Sequence, residues 1–230
     1  MKEMLGNSVF FGVMVSVIAY ELGVFLKRRL KWAVCNPLLI SIVLVIGILA
    51  VFGVDYEDYN EGAQLLSYLL TPATVCLAIP LYEQITLLKK HAKAIAAGVI
   101  SGVLTSLLSV LAMAAVFEFS HEQYVTLLPK SITTAIGMGV SEELGGIVTI
   151  TVAVIIVTGI LGNVIAEFVF RLFKIEEPVA KGIALGSASH AIGTSKAMEI
   201  GEIEGAMSSL SIAVAGILTV IGASVFAGFL

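Results

Sequence analysis

The stretch VTLLPKSITTAIGMGVSEELGG, Val125–Gly146, decides how the whole chain is threaded. It has the length of a bilayer crossing, about 20 residues, but not the composition of one. Pro129 suits the first turn of a helix. Lys130, Ser131, Thr133 and Thr134 gather behind it, where orphan N–H groups and the helix dipole favour anions. Gly137 and Gly139 permit a turn or a close approach. Glu142, Glu143 and Gly145-Gly146 end the segment. A lysine among hydroxyls suits a carboxylate, although a lysine snorkelling to the interface would read the same way. The two glutamates suit either a gate or an exposed loop end.

Composition sets the environment. The chain is 58% hydrophobic and 13% charged, with mean hydropathy +1.04. A soluble domain carries about 25% charged residues, so too little polar surface remains to face water. The expectation is an all-α polytopic membrane protein in contact with lipid and with no nucleic-acid partner. The net charge of -4 says little about partners, because the charges fall in loops and a few special places. Cys35 and Cys76 have no spacing that suggests a metal site or a disulfide framework. No metal or cofactor is expected.

Eight candidate segments follow, Val125–Gly146 among them. Val9–Leu26, Pro37–Val54, Ala94–Phe117, Ile147–Phe170 and Ala206–Leu230 read as plain spans. Ala63–Leu88 contains Pro72 and Pro80, and Val179–Gly201 is polar and rich in glycine. Asp55–Gly62 and Glu118–Tyr124 read as polar loops. Basic residues mark the cytoplasmic side: Lys27 to Lys31, Lys89 to Lys93, and Arg171 with Lys174. The last pair lands on that side only if Val125–Gly146 enters and leaves on one face, so the re-entrant reading is preferred, with the N-terminus outside.

Threaded in this way, the chain forms one domain, 1–230, with candidate inverted halves 1–118 and 125–230. An offset of about 118 residues sets TPATVCLAIPLYEQ (Thr71–Gln84) opposite SHAIGTSKAMEIGE (Ser189–Glu202). Both are the irregular segment of their half, and paired interrupted segments in inverted halves point to a transporter site. Thr71 and Thr74 would supply hydroxyls beside breaks at Pro72 and Pro80, unless the prolines make only a packed kink. In the second stretch Ser189, His190, Thr194, Ser195 and Lys196 would line the site, Gly193 would break the helix, and Lys196 would pair with Glu199. Glu202 and Glu204 would face water. His190, Glu142, Glu143 and Glu199 are the candidates for coupling or gating, histidine because it titrates near neutral pH. Enzyme signatures are wanting: HEQYV at His121 lacks the second histidine of a zinc protease, and GSASHAIG does not match a nucleophile elbow. No enzymatic activity is expected.

Four stretches carry a resemblance: NPLLISIVLVI (Asn36–Ile46), LLTPATVCLAIPLYEQ (Leu69–Gln84), LLPKSITTAIGMGVSEELGG (Leu127–Gly146) and GIALGSASHAIGTSKAMEIGEIEGAMSSLSIAVAGI (Gly182–Ile217). They resemble the LrgB/CidB family over nearly the whole chain. Ala135 stands where many members carry proline. The resemblance implies a multi-pass protein of the bacterial inner membrane that works with a small LrgA/CidA-like membrane partner. It implies either an antiholin-like modulator of murein hydrolase activity and autolysis, or a carrier of small carboxylates such as pyruvate, glycolate or glycerate. The polar segments favour the carrier, because an antiholin has no need of a preorganised pocket holding His190 and Lys196. A homodimer is compatible with the sequence, which does not require one.

Overall fold

The computed structural model describes residues 10–30, 36–76 and 78–230, without the side chains of Leu70, Thr71, Thr74, Pro80 and Leu81. The chain divides into two compact units, the second running from Leu77 to Leu230. The described residues outside turns are helical, as an all-α polytopic membrane protein requires.

The first unit holds α1 (Phe11–Leu30), α2 (Pro37–Phe52), α3 (Tyr56–Tyr68) and α4 (Leu70–Cys76). Asn36 caps α2, its Oδ1 accepting from the N–H of Leu38 at 2.9 Å and of Leu39 at 3.3 Å. Ser16 of α1 donates to Gly12 O at 2.6 Å and lies 2.7 Å from the Tyr59 hydroxyl of α3. The expected acidic loop at Asp55–Gly62 is instead the start of α3. Glu57 and Asp58 occupy its first turn, where the dipole favours negative charge. Pro72 likewise lies in the first turn of α4, so it opens a short helix rather than kinking a long one.

The second unit begins with α5 (Ala78–Glu83), in which Pro80 is again a first-turn residue. It continues through α6 (Ile85–Val116), α7 (His121–Leu127), α8 (Thr134–Glu143), α9 (Val148–Leu172), α10 (Pro178–Ile200) and α11 (Glu202–Phe226). Among the described residues, three helices are long and apolar enough to cross a membrane: α6, α9 and α11 with its 3-10 extension to Phe229. Among the described residues, Pro37–Phe52 is a shorter apolar helix.

The segments between the three long helices do not cross. The first is α7, a tip at Leu128–Thr133, and α8. Ser120 starts it with a capping box, its Oγ accepting from Gln123 N and its own N–H donating to Gln123 Oε1, so His121 opens a helix rather than sitting in a loop. From the end of α6 the chain runs back along that helix until Ser131 Oγ lies 3.2 Å from Ser106 Oγ. Ser106 is ten residues before Val116, about 15 Å at 1.5 Å per residue. Then α8 returns: a Cβ on Gly137 would meet the Ile155 side chain, and one on Gly146 would come within 3.1 Å of the Thr126 backbone. Val125–Gly146 is therefore re-entrant.

The second segment, α10, is also a hairpin. Its helical run is interrupted at Ser189 (φ -130°, ψ 15°) and His190 (φ 41°, ψ -136°). The entering arm runs parallel to α6, setting Ile183 on Gly98 and Ser187 on Gly102. The returning arm comes back past it, so that a Cβ on Gly193 would strike Leu185 O. Lys181 and Lys196 line one cavity, although 15 residues of continuous helix would part them by about 22 Å. Val179–Gly201 therefore does not cross, and Gly193 is not its break. The break falls at Ser189-His190, while Gly193, Gly137 and Gly139 all lie inside helices. Gly137 and Gly193 are glycines for packing: the returning arm of each hairpin presses on a neighbour there. Gly139 meets nothing within 4 Å.

The two hairpins enter from opposite ends, because each starts where a long helix has just ended and one crossing, α9, separates them. They are copies. Ser131, Ala135, Ile136, Gly137, Glu143 and Gly145 recur 56 residues on as Ser187, Ala191, Ile192, Gly193, Glu199 and Gly201. Glu118 and Lys174, also 56 apart, share φ 53°. Ser189–Glu202 thus has a counterpart in Thr133–Gly146, within its own unit. Every lysine and arginine of this unit except Lys130 gathers at one end, with the start of α6 and the end of α9.

Candidate functional site

An open cavity of about 900 Å³ lies between α6, α9 and the entering arm of α10. It runs from His91 and Glu177 at the basic end to Ser109, Lys130 and Ser131 at mid-height. Ser101, Thr105, Ser106 and Ser109 of α6, Thr158 of α9, and Ser187 and Ser189 of α10 add hydroxyls to otherwise apolar walls. Apolar walls with a few placed polar groups are the usual build of a small-molecule site.

The tip of the first hairpin supplies the charge. Lys130 Nζ donates to Ser131 Oγ at 3.0 Å, and among the described residues no carboxylate pairs with it. A partly buried ammonium without a counter-ion is costly, and an anion entering the cavity relieves that cost. Thr133 and Thr134, expected beside it, are the N-cap and first residue of α8 and do not line the cavity.

The tip of the second hairpin is seated on two glycines of α9. A Cβ on Gly159 would come within 2.7 Å of His190 Nε2, and one on Gly162 would collide with Ser189 Oγ. The seat lets His190 Nε2 reach Ile155 O at 3.0 Å. A carbonyl only accepts, so Nε2 carries a proton. Asn163 Nδ2 donates to Ile192 O at 3.1 Å, and Thr194 Oγ1 to His190 O at 3.0 Å. These bonds hold the left-handed φ of His190, which for a non-glycine residue costs on the order of 1–3 kcal/mol.

The expected run from Ser189 to Lys196 is split. Only Ser189 lines the cavity. His190 is buried against α9, and Thr194 is buried with its Oγ1 2.8 Å from Ser208 Oγ of α11. Ser195 is exposed. Lys196 belongs to a second cavity at the basic end with Arg171, Lys174 and Lys181. There it binds Glu167 Oε1 at 2.6 Å and Glu199 Oε2 at 3.6 Å, so the expected pairing with Glu199 exists, away from the main cavity. The split follows from the reversal at His190, which carries the returning arm back to the basic end. Glu142 and Glu143 are exposed at the end of α8. Glu202 is exposed, but Glu204 is buried, folded back beside Gly201. The side chains of Thr71, Thr74 and Pro80 lie outside the described residues. The hydroxyls of α6 were missed because Ala94–Phe117 is apolar enough to read as a plain span. Ser101, Thr105 and Ser109 at a spacing of four, one helix face, were the available signal.

Two opposed re-entrant hairpins between three crossings, with their tips at one cavity, define a polytopic membrane protein. The chain belongs to the LrgB-like family, whose model matches residues 16–229. It is 36% identical to the "Antiholin-like protein LrgB" of Bacillus subtilis (strain 168) over 220 residues, 95% of each chain. It is 36% identical to the protein of the same name from Bacillus cereus (strain B4264) over 222 residues, 96% of each chain. No solved structure matches it significantly.

Proposed function

We propose that this chain is a transporter of small monocarboxylates, of the pyruvate, glycolate or glycerate type, in a bacterial inner membrane. Lys130 carries the reading: it is the unit's one cation away from the basic end, it has no acidic partner among the described residues, and it lines a hydroxyl-rich cavity at mid-height. A single positive charge matches a single carboxylate. By the positive-inside rule the basic end is cytoplasmic, so the cavity, which runs to His91 and Glu177, opens inward. The hairpins act as alternate gates, in the manner of transporters built from inverted repeats. His190, adjacent to the cavity residue Ser189, is the group we assign to proton coupling.

A second reading, antiholin-like control of murein hydrolase activity, is favoured by the name of the Bacillus relatives. A small LrgA/CidA-like membrane protein is the proposed partner in either case. The test is uptake of labelled pyruvate, glycolate and glycerate into proteoliposomes, with and without that partner. Saturable uptake is expected; its absence under both conditions rejects transport in favour of the second reading.

A further inference from the structure

The 56-residue repeat sets two identical side chains at one place. Ser131 lies on the tip of the first hairpin, Ser187 beside the tip of the second, and each is only 6% exposed. Both line the main cavity. Both face α6: Ser131 Oγ is 3.2 Å from Ser106 Oγ, and a Cβ on Gly102 would come within 2.8 Å of Ser187 Oγ. Gly102 and Ser106 are one helical turn apart, about 6 Å along the axis. The serines therefore lie along the same stretch of α6 on one cavity wall, one on each hairpin.

Their hydrogen-bonding states are complementary. Ser187 donates its proton to Ile183 O at 2.7 Å, which leaves its oxygen as an acceptor. Ser131 already accepts from Lys130 at 3.0 Å and keeps a second lone pair or its proton for Ser106 or a ligand. Lys130 breaks the symmetry, because its counterpart 56 residues on is Gly186.

We infer that Ser131 and Ser187 are a symmetry-related pair of specificity-determining residues. Lys130 binds the carboxylate, Ser187 Oγ accepts the hydroxyl proton of a 2-hydroxy monocarboxylate held between the hairpins, and Ser131 donates its own proton to the oxygen of that hydroxyl. Each serine rides on a different gate, so the substrate contacts both gates at once. This inference rests on the transport reading.

The experiment compares uptake of glycolate with that of acetate, which lacks only the hydroxyl, in proteoliposomes of wild type, Ser131→Ala and Ser187→Ala. Each variant is expected to lower the glycolate-to-acetate ratio of kcat/KM by about five-fold or more through KM for glycolate. Ser187→Thr, which keeps the hydroxyl, is expected to retain the preference, and it replaces the alanine variant should that variant fail to fold, with a lost preference then counting against the inference. An unchanged ratio in the serine variants, or a fall in Ser131→Ala alone, overturns the inference and leaves transport standing. Wild type that takes up neither acid overturns both.

Discussion

The Nε2 of His190 and the carbonyl of Ile155 lie 3.0 Å apart, a bond that exists because Gly159 leaves the ring room. The same Ile155 reaches Gly137 of the other hairpin with its side chain. One residue at mid-helix thus touches both re-entrant segments. Gly159→Ala is expected to destabilise the protein by about 1–3 kcal/mol through overpacking. Thermal unfolding in detergent measures it; an unchanged midpoint would mean that the hairpin is not seated there.

Lys130→Gln keeps a side chain of similar reach and removes the charge. Uptake of monocarboxylates is expected to fall by at least about ten-fold, on the scale of a hydrogen bond to a charged group, with the protein still monodisperse. Uptake at the wild-type rate would remove Lys130 from the site.

Lys196 bridges the returning arm of α10 to Glu167 of α9 at 2.6 Å, with half of the glutamate side chain exposed. Such a pair contributes at most about 1 kcal/mol. Lys196→Ala is expected to leave KM within about two-fold of wild type. A large rise in KM would return Lys196 to the substrate site.

Thr151 Oγ1 lies 2.7 Å from Ser141 Oγ and 2.9 Å from Thr126 O, tying α9 to both arms of the first hairpin. Thr151→Val removes the shared hydroxyl and strands buried partners, at a cost of about 1–3 kcal/mol. Faster amide exchange confined to Val125–Gly146 is the expected readout.

One crossing between the hairpins makes a topological prediction. In a background lacking Cys35 and Cys76, Glu118→Cys and Lys174→Cys should react with an impermeant thiol reagent from opposite faces of the membrane. Labelling from one face would mean that Val125–Gly146 crosses after all.

Much of this architecture was legible in the sequence. The hydropathy of α6, α9 and α11 announced the crossings, and the conflict over Arg171 and Lys174 announced that Val125–Gly146 returns. Family membership was legible in long motifs such as LLPKSITTAIGMGVSEELGG. The second hairpin was not, because a helical arm that turns back has the same local composition as one that continues, and the reversal rests on two backbone angles at Ser189-His190. Ser189 to Lys196 was consequently read as one wall when it is two. Threading direction alone gives an offset of about 118 residues, whereas TTAIG and SHAIG (Thr133–Gly137 and Ser189–Gly193) stand 56 apart.

Glu118 and Lys174 share a backbone angle and differ in sign. A segment that carries a single crossing, duplicated in tandem, has no choice but to lie upside down relative to its twin. The joint that follows the second copy therefore falls on the opposite face from the first, and it carries a lysine among the other basic residues of that end, as the positive-inside rule expects.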